Sequence, residues 1–177
     1  MVDCAGNFDN HGCSGGLPSH AFEYIKEAKG ITTEDKYPYT ATDAKCALVE
    51  GTQVVGITGG AVNISLSEDD LRVQLFKNGP VSVAFQVIDG FKAYTSGVYT
   101  TDKCKNGPMD VNHAVVAVGY GKEDGKDYWV IKNSWGAAWG DNGYFKMERG
   151  VNMCGILNCN SYPKDVTDLT AQVSFLE

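Results

Sequence analysis

NHAVVAVGYGKEDGKDYWVIKNSW, from Asn112 to Trp135, is the stretch on which the reading of this chain turns. Residues 113–120 and 128–135 are rich in β-branched and aromatic side chains, and Gly121 to Asp127 between them holds only Gly, Lys, Glu and Asp. Two apolar strands around a polar loop are expected to pair antiparallel. With Tyr120 set opposite Tyr128, Val115 faces Asn133 and His113 faces Trp135, so His113 and Asn133 become diagonal neighbours on one sheet face. A slip of one residue would send one of them to the other face. A carboxamide that holds one imidazole nitrogen fixes the ring and leaves the other nitrogen to serve a nucleophile. Trp135 and Trp139 would keep water off that bond. A satisfied core histidine is the plainer alternative for His113.

Outward from the hairpin, Val81 to Phe85 and Gly143 to Met147 also read as strands. Residues 17–30 read as a helix, with Pro18 in the first turn, Ala21, Phe22, Ile25 and Ala28 at helical spacing and Gly30 at the stop. A second helix is expected over 68–77, with Ser67 as N-cap, Asp70 as a capping-box-like partner and Gly79-Pro80 as its end. Helices followed by strands give an α+β fold. The tail from Lys164 to Glu177 is mostly polar and is expected to be a loosely held extension.

The 177 residues carry 15 Lys and Arg against 22 Asp and Glu, a net charge of −7, which offers no footprint for a nucleic-acid backbone. The longest apolar stretch, Ala114 to Val118, is far short of the ~20 residues of a membrane span. Met1 to Asn7 lacks the basic start and apolar run of a signal peptide, as though the sequence opened inside a domain. Six cysteines, Cys4, Cys13, Cys46, Cys104, Cys154 and Cys159, form an even set that suits an oxidising compartment and could pair in many ways. None lies at C-x-x-C spacing and the histidines follow no finger pattern, so neither a metal nor a cofactor is expected. Asn63-Ile64-Ser65 is a glycosylation sequon.

Val2-Asp3-Cys4, Gly12-Cys13-Ser14-Gly15-Gly16-Leu17-Pro18, Tyr37-Pro38-Tyr39, Asn112-His113-Ala114-Val115, Lys132-Asn133-Ser134-Trp135-Gly136 and Asn152-Met153-Cys154-Gly155 resemble the papain family of cysteine peptidases, most closely the cathepsin H and aleurain group. The likeness runs from Val2 to Pro163. It implies a papain-like domain over 1–163, with 1–80 the remainder of a mainly helical lobe and 81–163 a C-terminal antiparallel β-rich lobe, followed by the 164–177 extension. It implies His113 and Asn133 as catalytic residues. Gly15 and Gly16 would let a substrate backbone approach in an extended pose, and Leu17, Pro18, Val111 and Ala114 would line an apolar pocket. Trp135 and Trp139 join these as substrate-binding positions. Asn112 stands where papain has Asp. The resemblance also implies disulfides Cys4–Cys46 and Cys104–Cys154, and leaves Cys13 and Cys159 as orphans. At the position of Cys159, cathepsin H holds a short disulfide-linked propeptide fragment.

In this family the nucleophile lies in a C-G-[SA]-C-[WY] segment roughly 130–150 residues before the histidine. Counting back from His113 by that distance lands ahead of Met1, and the family's oxyanion glutamine lies further upstream. Cys13 is disfavoured as a substitute because it is too close to His113 in sequence. The chain is therefore expected to be catalytically incomplete, a pseudoenzyme-like binding or structural subunit whose open lobe a protein partner covers. The alternative is an active cysteine aminopeptidase or endopeptidase whose N-terminal segment comes from another chain or is lost from this sequence, acting on peptide substrates. The resemblance places it in a lysosome or vacuole or outside the cell; a genuine start at Met1 would place it in the cytoplasm.

Overall fold

The computed structural model describes residues 1–170 and divides into two compact units, Met1–Val62 with the chain from Tyr162, and Asn63–Ser161. The boundary expected near residue 80 lies earlier, because the helix that follows residue 67 packs on strands of the second unit.

In the first unit, helix α1 (Pro18–Glu27) buries Ile25. It stops short of the expected residue 30 because Lys29 turns left-handed at φ 57°. Lys29 N–H then donates to Lys26 O at 3.1 Å and Gly30 N–H to Ile25 O at 2.9 Å, the paired bonds of a Schellman cap. Gly30 has a φ of 135°, and a Cβ there would lie 2.6 Å from Val55 O, so no other residue fits. Strand β1 (Val55–Asn63) runs beside β7 (Ser161–Asp168). Lys164 to Asp168 therefore lie in a paired strand rather than in a loose tail, and Leu169 N–H donates to Val54 O at 2.9 Å. The rest of that expected extension, residues 171–177, lies outside the described residues. Disulfide Cys4–Cys46 closes the unit, and Asp3 beside it accepts from the Tyr37 hydroxyl at 2.7 Å and Ala44 N–H at 2.9 Å. The tyrosine bond, followed by the backbone bond, holds the Asp3 carboxyl below the ordinary carboxylate value.

The second unit holds α2 (Glu68–Asn78) and the strands β2 (Val81–Phe85), β3 (Val98–Tyr99), β4 (His113–Glu123), β5 (Lys126–Lys132) and β6 (Tyr144–Glu148). Ser67 caps α2 by accepting from Asp70 N–H at 3.3 Å, but the Asp70 carboxylate takes the Ser65 hydroxyl instead of completing a capping box. The strands lie in the order β2-β4-β5-β6-β3, antiparallel except for β3 against β6. Leu71 of α2 and Val81, Phe85, Trp129, Ile131 and Phe145 of the sheet are buried in its core. Glu68 at the head of α2 accepts from Trp129 Nε1 at 3.0 Å and from the Gly150 and Asn152 N–H groups at 2.6 Å each. One carboxylate thus ties helix, sheet and the loop leading to Cys154.

The hairpin is longer than its composition suggests. Its strands continue through Lys122, Glu123 and Lys126 to a two-residue turn at Asp124-Gly125, with φ 49° and 83°, the backbone that an Asp-Gly pair favours. Near the turn Tyr120 faces Trp129, one residue away from the expected Tyr128. Val118 forms a bulge between the pairs Ala117↔Ile131 and Gly119↔Val130, and beyond it Val116 faces Lys132. The bulge absorbs the slip, so the site end of the hairpin has the expected register.

The Cys104–Cys154 disulfide spans 50 residues of the second unit. Replacing both cysteines with serine should lower the stability of the folded protein by about 2–4 kcal/mol, measured by urea denaturation without reductant.

Candidate active site

His113 is the first residue of β4, and Asn133 directly follows β5. Asn133 is only 8% exposed and its N–H donates to Gly143 O at 2.9 Å, which fixes the backbone where the strand ends. Its Oδ1 accepts from Ser134 N–H at 2.8 Å and lies 2.9 Å from His113 Nε2. The backbone donor determines which end of the amide is oxygen. A carbonyl oxygen only accepts, so Nε2 carries the ring hydrogen and Nδ1 is left as the basic nitrogen.

The imidazole sits among aromatic rings. Trp135 lies 5.1 Å from it with planes tilted by 30°, and Phe85 meets it edge-on at 5.9 Å. Trp135 packs edge-on against Trp139 at 4.9 Å, and Phe91 reaches both indoles at 5.7 and 5.5 Å. Trp139 is pinned by its Nε1, which donates to Lys92 O at 2.8 Å. Apolar faces around the His113–Asn133 bond lower the local dielectric and strengthen it. His113, Asn133, Trp135 and Trp139 are thus brought together as the sequence reading expects.

Val111 and Ala114 flank His113 in the second unit, Val111 half-buried and Ala114 exposed beside its partner Ala84. Gly15, Gly16, Leu17 and Pro18 belong to the first unit, ahead of and at the start of α1. Gly15 takes a φ of 102°, which favours glycine. A Cβ on Gly16 would collide with the Asn10 carboxamide, whose Oδ1 accepts from Leu17 N–H at 2.9 Å. Asn10 therefore shapes this glycine turn, a role with no periodic sequence signal. Asp43 plays a similar part, accepting from Cys13 N–H at 2.7 Å.

The cysteines pair as Cys4–Cys46 and Cys104–Cys154, matching the resemblance, and leave Cys13 exposed and Cys159 half-buried as free thiols. Neighbouring protein atoms that displace water, and then the Asp43 carboxylate, push the Cys13 thiol above its ordinary value. That environment disfavours a thiolate, the opposite of what an attacking cysteine needs. Asn63 is exposed at the end of β1.

Residues 1–164 match the sequence profile of the papain family of cysteine proteases. The chain belongs to that family. It is 57% identical over 164 residues to a pro-cathepsin H of Medicago truncatula, an alignment covering 92% of this chain and 47% of that protein. It is 59% identical over 167 residues to the thiol protease aleurain of Arabidopsis thaliana, covering 92% and 46%. The structure of digestive procathepsin L 3 from Tenebrio molitor larval midgut superposes with a TM-score of 0.86 at 38% identity, over 92% of this chain and 53% of that one. The papain-like α+β fold expected from the sequence is present. The chain spans about half the length of the curated relatives it matches. No helix among the described residues is long and apolar enough to cross a membrane.

Replacing Asp43 with Asn removes the negative charge beside Cys13 while keeping an acceptor for its N–H. Iodoacetamide should then alkylate Cys13 of the 177-residue chain several times faster at neutral pH, as followed by peptide mass spectrometry, because a larger share of the thiol is ionised.

Proposed function

We propose that this chain carries the proton-handling side of a cysteine peptidase, with His113 as general base and acid, Asn133 as the amide that orients it, and the attacking thiol supplied by polypeptide outside residues 1–177. The observation that carries this reading is the 2.9 Å contact between His113 Nε2 and Asn133 Oδ1, with Oδ1 held by Ser134 N–H. A thiol beside Nδ1 passes its proton to the ring, and the imidazolium in turn favours the thiolate. The thiolate attacks the peptide carbonyl, and the imidazolium protonates the leaving amine. Water then hydrolyses the acyl-thioester with neutral His113 as base. Donors to the oxyanion include the glutamine that accompanies the thiol segment.

In the first unit, Gly15 and Gly16 let an extended peptide backbone approach beside Leu17 and Pro18; in the second, Val111 and Ala114 offer apolar contact to a substrate side chain, and Trp135 and Trp139 border the leaving-group side. Cys13 serves a structural bond to the supplying segment, and Cys159 carries a propeptide fragment. Asn63 bears a glycan. Two internal disulfides support a lysosomal, vacuolar or secreted location, where thiols oxidise. On this reading residues 1–177 alone do not hydrolyse peptides. A second reading, a non-catalytic binding or structural subunit, is favoured by the exposed Tyr39 and Val49 of the first unit, apolar side chains that a partner protein would cover.

One assay separates the two. Peptidyl-aminomethylcoumarin turnover by the 177-residue chain should be absent, and should appear when the chain is joined to a segment bearing the family's C-G-S-C-W stretch. In the joined protein His113→Ala should lower kcat by roughly 10²–10⁴-fold, and Asn133→Ala by roughly 10–100-fold. Failure of every thiol-bearing segment to restore turnover, with the chain recovered bound to another protein, would establish the subunit reading instead.

A further inference from the structure

Glycine after asparagine leaves its main-chain nitrogen open to the asparagine side chain, because it brings no Cβ into the way. The sequence holds three such pairs, Asn78-Gly79, Asn106-Gly107 and Asn142-Gly143, and the structure sets them apart. Asn78 closes α2, its Nδ2 donating to Gln74 Oε1 at 2.7 Å while Gly79 N–H donates to Leu75 O at 3.1 Å. Asn142 has a φ of 55°, its Nδ2 donates to Asp141 Oδ1 at 3.1 Å, and Gly143 N–H donates to Trp139 O at 2.8 Å. In both pairs a main-chain carbonyl engages the glycine N–H, which comes free only by local opening.

Asn106-Gly107 differs. It lies outside regular structure between Cys104 and Val111, and Asn106 is exposed. Among the described residues no hydrogen bond holds its carboxamide. Gly107 N–H donates to the Asp110 carboxylate, at Oδ2, over 3.2 Å, within a turn that Asp110 N–H closes on Gly107 O at 3.1 Å. At the other end of the same peptide group, Asn106 O accepts from Asn158 Nδ2 at 2.9 Å, and a second bond to Gly155 O at 2.9 Å steadies that nitrogen. A donor on the oxygen and a carboxylate on the N–H polarise this one peptide toward release of its proton.

We propose that Asn106 is a site of self-catalysed deamidation with Asp110 as the base. The Asp110 carboxylate takes the Gly107 proton as the nitrogen attacks Asn106 Cγ. The new C–N bond closes a succinimide ring, and the bond from Cγ to Nδ2 breaks to release ammonia, which carries that proton away. Water then opens either ring carbonyl and leaves aspartate or isoaspartate at position 106. Isoaspartate routes the main chain through the former side chain and lengthens the path from Cys104 to His113. Neither Asp110 nor Asn158 belongs to the His113–Asn133 pair, so the reaction is independent of the peptidase reading.

The test keeps the 177-residue chain, with both disulfides formed, at neutral pH and physiological temperature. Peptide mass spectrometry follows the amide-to-acid mass gain at each pair, in the folded chain and in the same chain reduced and unfolded in guanidinium chloride. Folded, Asn106 should convert at least about tenfold faster than Asn78 and Asn142; unfolded, the three rates should converge. Asp110→Asn should slow conversion at Asn106 by roughly ten- to a hundredfold in the folded chain and leave the unfolded rate unchanged. A rate at Asn78 or Asn142 that matches Asn106 in the folded chain overturns the proposal, as does wild-type conversion in the Asp110→Asn variant. Should that variant fail to fold, the wild-type chain decides: Asn106 converting faster folded than unfolded supports the assisted reaction, and slower conversion overturns it.

Discussion

The register of β4 against β5 is the constraint on which the site depends. Side chains on a strand alternate faces, so the hydrogen bond between His113 and Asn133 exists only if the two strands meet with the correct parity at their open end. The closed end has the opposite preference. The Asp124-Gly125 turn imposes a tight two-residue reversal, and that reversal pairs Tyr120 with Trp129. Both conditions are met because Val118 is left out of the ladder. A bulge that would count as an irregularity in a simple sheet reconciles a turn with a site at the other end of the same strands.

Much of the second unit is legible in its residues. Helix α2 has a real N-cap in Ser67 and a real stop in Gly79, and β2 and β6 are compact runs with glycine or proline at their borders. Strands β1 and β7 are not legible. Strand β1 contains Gly56, Gly59 and Gly60, and β7 contains Pro163, Lys164 and two aspartates, which interrupt the β-branched and aromatic side chains that mark a strand. They form because each supplies the other's main-chain partners. The site divides in the same way. His113 and Asn133 follow from parity and from family likeness. Asn10 and Asp43 act through side chains reaching main-chain groups, which leaves no period to read.

Cross-linking follows the division into units. Each disulfide lies within one of them, Cys4–Cys46 in the first and Cys104–Cys154 in the second, so each unit has its own loop-closing constraint. The second bond also bears on the site, because Cys154 O receives the N–H of Gln86, the residue directly after Phe85 of the Phe85↔His113 pair. Free Cys13 has a different character. Its surroundings disfavour the thiolate, the opposite of what an attacking sulfur needs.

Trp135 lies against the imidazole, and a positively charged imidazole quenches a neighbouring indole by accepting its excited electron. The fluorescence of Trp135 is therefore coupled to the ring it covers, an optical handle on that contact that needs neither dye nor isotope.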